Sequence, residues 1–302
     1  MSQEDTPLHP LLQQMRTQPV APPAKEGYLQ CDSGDRLFYR AWVPDSPRKI
    51  ILAIHGLGAH SEYYVIMADQ VIETGIAVYA PDLKHHGRST GRWGDIESFE
   101  ELVVQIHQFI SLLHTYHPGL PIFLAGISMG GCLAFNYALH HPTECKGIIA
   151  FAPAIAGGAP ITISQVLLCP YYVLAHLVAP GKPVISIINQ SKRGSSNPLR
   201  REYDARDPFR QQKVSFRTLL QLRKAMQFTS AHLEELKLPL IIIQGTKDWL
   251  VKPALVKKFF ARLGSQDKTL IEVEGAYHAL ITEPLMDEKG VWVQLRNWIM
   301  AH

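Results

Sequence analysis

Residues Gly126-Ile127-Ser128-Met129-Gly130 set a serine between two glycines, where an apolar, β-prone run (Pro121–Ala125) gives way to a helix-compatible one (Gly131–Leu139). A strand, a sharp turn and a helix are the setting in which a serine can become a nucleophile. A turn this tight forces the serine into a strained backbone conformation and crowds its neighbours, so side chains at the flanking positions would clash. It also lifts the hydroxyl clear of the sheet edge and leaves the next N–H groups open at the helix N-terminus. Held beside a base and a ring of N–H donors, such a hydroxyl can attack an ester carbonyl. The five residues alone also fit a Gly-rich turn with an incidental serine. The strand before and the helix after favour the catalytic reading.

A serine nucleophile needs a histidine to take its proton and a carboxylate to orient that histidine. At this kind of turn the expected chain order is Ser, then Asp or Glu, then His. The chain has 14 histidines, and the order removes most of them. Asp248 lies just beyond the apolar run Leu240–Gln244, in the turn Gly245-Thr246-Lys247-Asp248. After Asp248 only His278 and the terminal His302 remain, and His278 follows the run Leu270–Glu274 and the turn Gly275-Ala276-Tyr277. Ser128, Asp248 and His278 are therefore the expected catalytic residues. The oxyanion donors are expected to be the N–H of Met129 and one from the turn His55-Gly56-Leu57, that of Leu57. His55 and His60 could be misread as metal ligands and His85-His86 as a metal pair. Adjacent residues on an extended chain point apart, however, and no carboxylate or cysteine cluster accompanies them, so no metal is expected.

The elements that must position these residues can be read from the same chain. Two runs, Gly27–Cys31 and Leu37–Val43, flank Asp32-Ser33-Gly34-Asp35 and read as a hairpin. Ile50–Ile54 is continuously apolar, as in a strand buried on both faces. A helix over Glu62–Thr74, a strand at Ile76–Ala80 and a helix over Phe99–His117 lead to the serine-bearing strand, and a strand at Gly147–Phe151 follows it. From about residue 154 to 216 the alternation lapses. It resumes with a helix near Phe216–Phe228, the strand Leu240–Gln244, a helix at Pro253–Leu263, the strand Leu270–Glu274 and a helix over Asp287–Met300. Strands alternating with helices imply an α/β fold with a mostly parallel sheet covered on both faces. The expected organisation is a Pro-rich lead-in (1–25), a core (26–153 and 217–302) and an inserted lid (154–216) after the sixth strand, over the sheet edge where such folds place their sites.

Composition narrows the function further. A net charge of +3, from 30 Lys+Arg against 27 Asp+Glu, gives no case for nucleic acid binding. The four cysteines have neither metal-ligand spacing nor a disulfide framework, which suits a reducing cytoplasm. The first 25 residues carry Pro7, Pro10, Pro19, Pro22 and Pro23 and no apolar stretch of signal-peptide length. A short helix around Leu8–Arg16 could pack on the body. No run approaches the ~20 apolar residues of a membrane span.

The assembled motifs resemble the serine-hydrolase branch of the α/β-hydrolase fold, and within it the monoacylglycerol lipase and lysophospholipase-like group. The resemblance covers roughly residues 25–302. It rests on His55-Gly56-Leu57-Gly58-Ala59-His60-Ser61, Asp82 with His86-Gly87-Arg88-Ser89, Gly126–Gly131, Gln244-Gly245-Thr246-Lys247-Asp248, Ser265–Leu270 and Gly275-Ala276-Tyr277-His278. It implies an eight-stranded sheet, ester hydrolysis through an acyl-enzyme, no cofactor, and a mobile apolar cap that admits one acyl chain. Ile127 stands where the family often has a histidine before the nucleophile. Ala59 and Tyr63 stand where its oxyanion loop often carries charges, and His85 where it usually has glycine. The changes at 127, 59 and 63 remove polar groups that could hold a glycerol head.

Residues 161–180 are the most apolar of the insertion; Pro170 is expected either to break them into two short pieces or to begin a second helix with Tyr171, Leu174 and Val178 along one face. Leu167, Tyr171 and Leu174 are expected to line an acyl gorge, though core packing would use the same residues. The basic residues Lys182, Lys192, Arg193, Arg200, Arg201, Arg206, Arg210 and Lys213 outnumber Glu202, Asp204 and Asp207, and with the apolar run suit transient contact with an anionic membrane surface. The expectation is a cytoplasmic enzyme, peripheral to membranes at most, that cleaves single-acyl-chain lipid esters of monoacylglycerol or lysophospholipid type. A general short-chain esterase, an acyltransferase using the same acyl-enzyme and a non-catalytic scaffold are the alternatives.

Overall fold

The computed structural model describes residues 8–155, 169–187 and 194–302. Eight strands form one sheet in the order β1-β2-β4-β3-β5-β6-β9-β10. They are β1 (Lys25–Gln30), β2 (Arg36–Trp42), β3 (Lys49–Ile54), β4 (Ile76–Pro81), β5 (Ile122–Ile127), β6 (Gly147–Phe151), β9 (Leu240–Gly245) and β10 (Lys268–Val273). Only β2 runs against its neighbours; the six strands from β4 to β10 pair parallel. The chain order reverses at β3, which pairs with β4 on one side and β5 on the other. The loops after β3 and β5 thus leave the same sheet edge side by side, as at the switch points of open α/β sheets.

Strand periodicity divides the core. Ile50, Leu52 and Ile54 of β3 join one apolar cluster while Ile51 and Ala53 join the other, and β9 divides Leu240 and Ile242 from Ile241 and Ile243 in the same way. Both faces of these strands are buried, which is why they read as unbroken apolar runs. One face is covered by α3 (Phe99–Tyr116), α4 (Met129–His140), α7 (Phe216–Ala231) and α8 (Pro253–Arg262), and the other by α1 (Pro10–Met15), α2 (Val65–Val71) and α10 (Val291–Ala301). The expected final helix is two pieces, α9 (Leu285–Glu288) and α10, parted at Gly290, whose φ is 63°.

Between β6 and α7 the structure describes α5 (Cys169–Val178), α6 (Pro198–Arg206) and a two-stranded ribbon of β7 (Ile185–Ser186) and β8 (Lys213–Val214). Backbone bonds from Gln211 N–H to Gly58 C=O (3.0 Å) and Ser215 N–H to Gly94 C=O (2.7 Å) tie this segment to the sheet edge. The Pro-rich lead-in is docked as well. Leu11, Leu12 and Met15 of α1 are buried, and Arg16 grips Asp69 with two bonds of 2.6 Å each.

Candidate active site

Ser128 sits between β5 and α4 with φ 54° and ψ −117°, a conformation that costs an L-residue energy and persists only where its surroundings enforce it. The two glycines explain the enforcement. A Cβ on Gly126 would strike the Gly130 carbonyl, and one on Gly130 would strike the carbonyls of Ile54 and His55. Any side chain at either position would push the turn open and drop the hydroxyl back toward the sheet.

Asp248 and His278 come from the loops after β9 and β10. The close approach of these loops needs Gly245, where a Cβ would meet the Ala276 and Tyr277 carbonyls. Asp248 is buried, and its Oδ1 accepts the N–H groups of Leu250 (2.8 Å) and Val251 (2.9 Å). Its Oδ2 accepts Gln244 Nε2 (3.1 Å) and His278 Nδ1 (2.7 Å). Because those contacts make the carboxylate the acceptor, Nδ1 carries the proton and Nε2 keeps its lone pair. Nε2 has no hydrogen-bond partner among the described residues. Ser128 and His278 line one cavity of about 190 Å³. The other late carboxylates lie elsewhere: Asp267 pairs with His302 (2.8 Å), and Asp287 accepts Thr17 and Gln70.

The two expected oxyanion donors belong to peptide units held by their opposite ends. The Gly56 carbonyl, in the same peptide as the Leu57 N–H, accepts His55 Nδ1 (2.8 Å) and the Ala59 N–H (3.1 Å). The Ser128 carbonyl, in the same peptide as the Met129 N–H, accepts the N–H groups of Cys132 (3.1 Å) and Ala154 (2.9 Å). Neither the Leu57 nor the Met129 N–H has an acceptor among the described residues. Two unpaired donors beside a serine hydroxyl can stabilise a developing oxyanion. His55 therefore acts on the turn instead of a metal. Its Nε2 accepts the Leu83 N–H (2.9 Å), which fixes the proton on Nδ1, and full burial pushes its pKa down to about 3.

The motif around Asp82 braces the same turn. Asp82 accepts the N–H groups of Ser61 (2.7 Å) and Arg88 (2.9 Å), and His86 packs on His55 at 4.9 Å between ring centres. His85 occupies a left-handed conformation, φ 69°, which accounts for the glycine usual there in the family.

The cavity has two unlike walls. One is apolar: Leu219, Leu222 and Met226 project from a stripe of α7, facing Leu250 and Val251. The other is polar, built from Arg200 and Asp204 of α6 with Arg210. Arg200 donates to Asp204 (2.9 Å) and lies over the Tyr63 ring at 4.0 Å. Tyr63 donates to the same Asp204 oxygen (2.9 Å). Burial pushes the Asp204 carboxyl up, but the charges of Arg200 and Arg210 outweigh it and hold the group below its ordinary range.

Among the described residues the apolar wall comes from α7. Tyr171 and Leu174 are 54% and 60% exposed and are absent from the described cavity lining, which α7 supplies instead; Leu167 lies outside the described residues. A signal for α7 was present in the chain. Leu219, Leu222 and Met226 recur at helical spacing beside a second stripe, Thr218, Ala225 and Thr229, which is buried. Two of the basic residues expected to suit membrane contact, Arg200 and Arg210, turn inward onto Asp204 instead.

A parallel sheet with a strained serine after β5, a histidine–carboxylate pair after β9 and β10, and free N–H donors beside the serine defines a serine hydrolase of the α/β-hydrolase fold. Residues 45–285 match the family described as "Hydrolase_4: Serine aminopeptidase, S33", and the chain belongs to that family. The monoacylglycerol lipase of Mycolicibacterium smegmatis is 31% identical over 89% of this chain and 94% of its own length. The human monoglyceride lipase is 30% identical over 87% of this chain and 88% of its own. The crystal structure of a Paleococcus ferrophilus monoacylglycerol lipase superposes with a TM-score of 0.77 at 27% identity, covering 88% of this chain and 99% of that one. The protein is an enzyme of this monoacylglycerol lipase-like group.

Proposed function

We propose that the protein cleaves single-acyl-chain lipid esters, with Ser128 as nucleophile, His278 as general base and then acid, and Asp248 as the group that orients His278. The observation that carries the reading is one cavity holding Ser128 and His278 beneath an apolar wall, with His278 fixed by Asp248 at 2.7 Å. His278 Nε2 takes the Ser128 proton as Oγ attacks the acyl carbon, and the N–H groups of Leu57 and Met129 receive the oxyanion. The same imidazole then protonates the leaving alcohol, and the acyl-enzyme is hydrolysed by a water that His278 deprotonates in turn. No step in this sequence calls for a cofactor.

With 1–25 as the lead-in, whose α1 packs against α6, residues 154–216 act as the cap over the 26–153 and 217–302 core in this reading. Its outer face supports transient contact with a lipid surface: Val173, Leu174, Leu177 and Val178 of α5 are exposed together. Among the described residues no helix is long and apolar enough to cross a membrane. Surface contact by a cytoplasmic enzyme fits these features.

A panel of lauroyl glycerol, p-nitrophenyl esters of graded length and an aminoacyl p-nitroanilide, assayed on the wild type and Ser128→Ala, tests the reading. Ester turnover that Ser128→Ala abolishes, with no anilide turnover, is the expected result. Residual ester activity within about ten-fold of wild type would remove Ser128 from its role, and a preference for the anilide would replace the esterase with a peptidase. Acyl transfer to an added alcohol in excess of hydrolysis would mark an acyltransferase.

A further inference from the structure

The polar wall of the cavity has no task in the hydrolysis just described. Arg200 is only 8% exposed, yet it lines the cavity shared with Ser128. Its guanidinium is held on three sides: Nε to Asp204 (2.9 Å), Nη1 to Thr282 (3.1 Å), and its plane over Tyr63 (4.0 Å). Nη2 has no hydrogen-bond partner among the described residues. A guanidinium is always charged, and the N–H groups it leaves unpaired beside a cavity can donate to an acceptor that enters there.

Charge around this group favours an anion. Among the described residues Asp204 is the one carboxylate in the lining; Arg200 and Arg210 both approach it, and it also accepts the Tyr63 hydroxyl. Asp207 is not in the described lining; it pairs with His60 Nε2 (2.7 Å), accepts the Phe209 N–H (2.8 Å) and also acts electrostatically on Arg210. The docked N-terminus stiffens the arrangement: Glu62 accepts the His9 N–H (3.2 Å) and the Tyr203 hydroxyl (2.5 Å), and Tyr203 is in α6 with Arg200. A guanidinium held on three sides, with Nη2 left over, in the wall of the cavity that Ser128 also lines is suited to a compact oxyanion, which takes charge-assisted bonds that a neutral hydroxyl cannot match.

We propose that Arg200, backed by Arg210, is a specificity-determining subsite for an anionic leaving group. The preferred ester then joins one acyl chain, laid along Leu219, Leu222 and Met226, to an alcohol that carries a phosphate or a similar oxyanion. The inference rests on the ester-hydrolase reading above. Ser128 breaks the acyl C–O bond, the alcohol leaves with a proton from His278 and with its phosphate intact, and water releases the fatty acid.

The test compares kcat/KM for 1-lauroyl glycerol and 1-lauroyl glycerol 3-phosphate, both below their aggregation thresholds, with p-nitrophenyl butyrate as a headless reference. Wild type should favour the phosphate ester on the order of ten-fold, and Arg200→Met should bring that ratio close to one. Arg200→Lys, which keeps the charge but loses the fork, should fall between them. Glycerol 3-phosphate should inhibit butyrate hydrolysis competitively where glycerol does not, and Arg200→Lys should weaken that inhibition. If Arg200→Met fails to fold by circular dichroism, the lysine variant and the inhibition of wild type decide. A ratio at or below one with all esters turned over overturns the proposal and leaves the esterase standing. Inhibition by inorganic phosphate without preference for the phosphate ester would mean a free-phosphate site and overturn it too. Absence of turnover on every ester, butyrate included, would instead refute the hydrolase reading itself.

Discussion

His55 offers a quantitative test of how the oxyanion turn is held. Its folded-state pKa drops from the ordinary 6.5 to about 3 because the ring is fully buried, where it accepts the Leu83 N–H and donates to the Gly56 carbonyl. A base whose folded pKa is depressed binds its proton more readily in the unfolded chain. Between about pH 6.5 and 3 the unfolded state therefore takes up more protons, and stability falls as pH falls through that window. At about 1.4 kcal/mol per unit the whole window amounts to roughly 5 kcal/mol, and the part between pH 8 and pH 5 to about 2 kcal/mol. His86, also pushed well below its ordinary value by burial, adds in the same direction. His55→Gln keeps an acceptor for Leu83 but cannot titrate. Urea unfolding at pH 8 and pH 5 should show the wild type losing more stability than the variant, the difference being about 2 kcal/mol. At pH 8 the variant should also lose kcat by roughly ten-fold or more, because the Gly56–Leu57 peptide loses its clamp. A wild-type stability flat from pH 8 to 5, or an equal loss in both proteins, would refute the reasoning.

Other perturbations separate the remaining roles. Asp248→Asn should leave His278 in the wrong tautomer and cut kcat by up to ~10⁴ with little change in circular dichroism; greater sensitivity at Asp267 or Asp287 would move the acid. Leu222→Gln and Met226→Gln should flatten the rise of kcat/KM with acyl length, set at about 0.8 kcal/mol per buried methylene, and affect butyrate less than laurate. A chain-length series showing an equal loss on butyrate would make α7 structural. Arg16→Met should strand Asp69 without its cation in a buried site and lower unfolding free energy by about 3–5 kcal/mol in urea titrations. A loss below about 1 kcal/mol would mean the N-terminal strap is only loosely held.

Much of this protein is local and could be read from the chain. The strained serine needs a glycine on each side, a strand ahead and a helix behind, and all of these are contiguous in residues 121–140. Asp248 and His278 could be picked out because each lies just past a strand and its turn, in the chain order that a serine nucleophile of this kind requires. The inner strands of the sheet were legible because burial on both faces leaves an unbroken apolar signature, whereas β1 and β10, at its edges, are mostly half-buried or exposed.

What the tertiary structure alone decided concerns which of two amphipathic faces meets what. Tyr171 and Leu174 form an apolar stripe that fits a gorge lining or an exposed surface equally well by sequence, and the fold turns them outward. Helix α7 carries an apolar stripe (Leu219, Leu222, Met226) and a stripe of small residues (Thr218, Ala225, Thr229), and its seat on α4, where Asn136 donates to Thr229 (2.6 Å), assigns the second to the core and the first to the cavity. The Arg200–Asp204 pair looks like an exposed i, i+4 bridge on a basic helix. Its burial depends on Tyr63, Thr282 and the docked N-terminus, at sequence separations that periodicity cannot register. Local pattern records which residues must be buried or strained, whereas their partners are set by long-range packing.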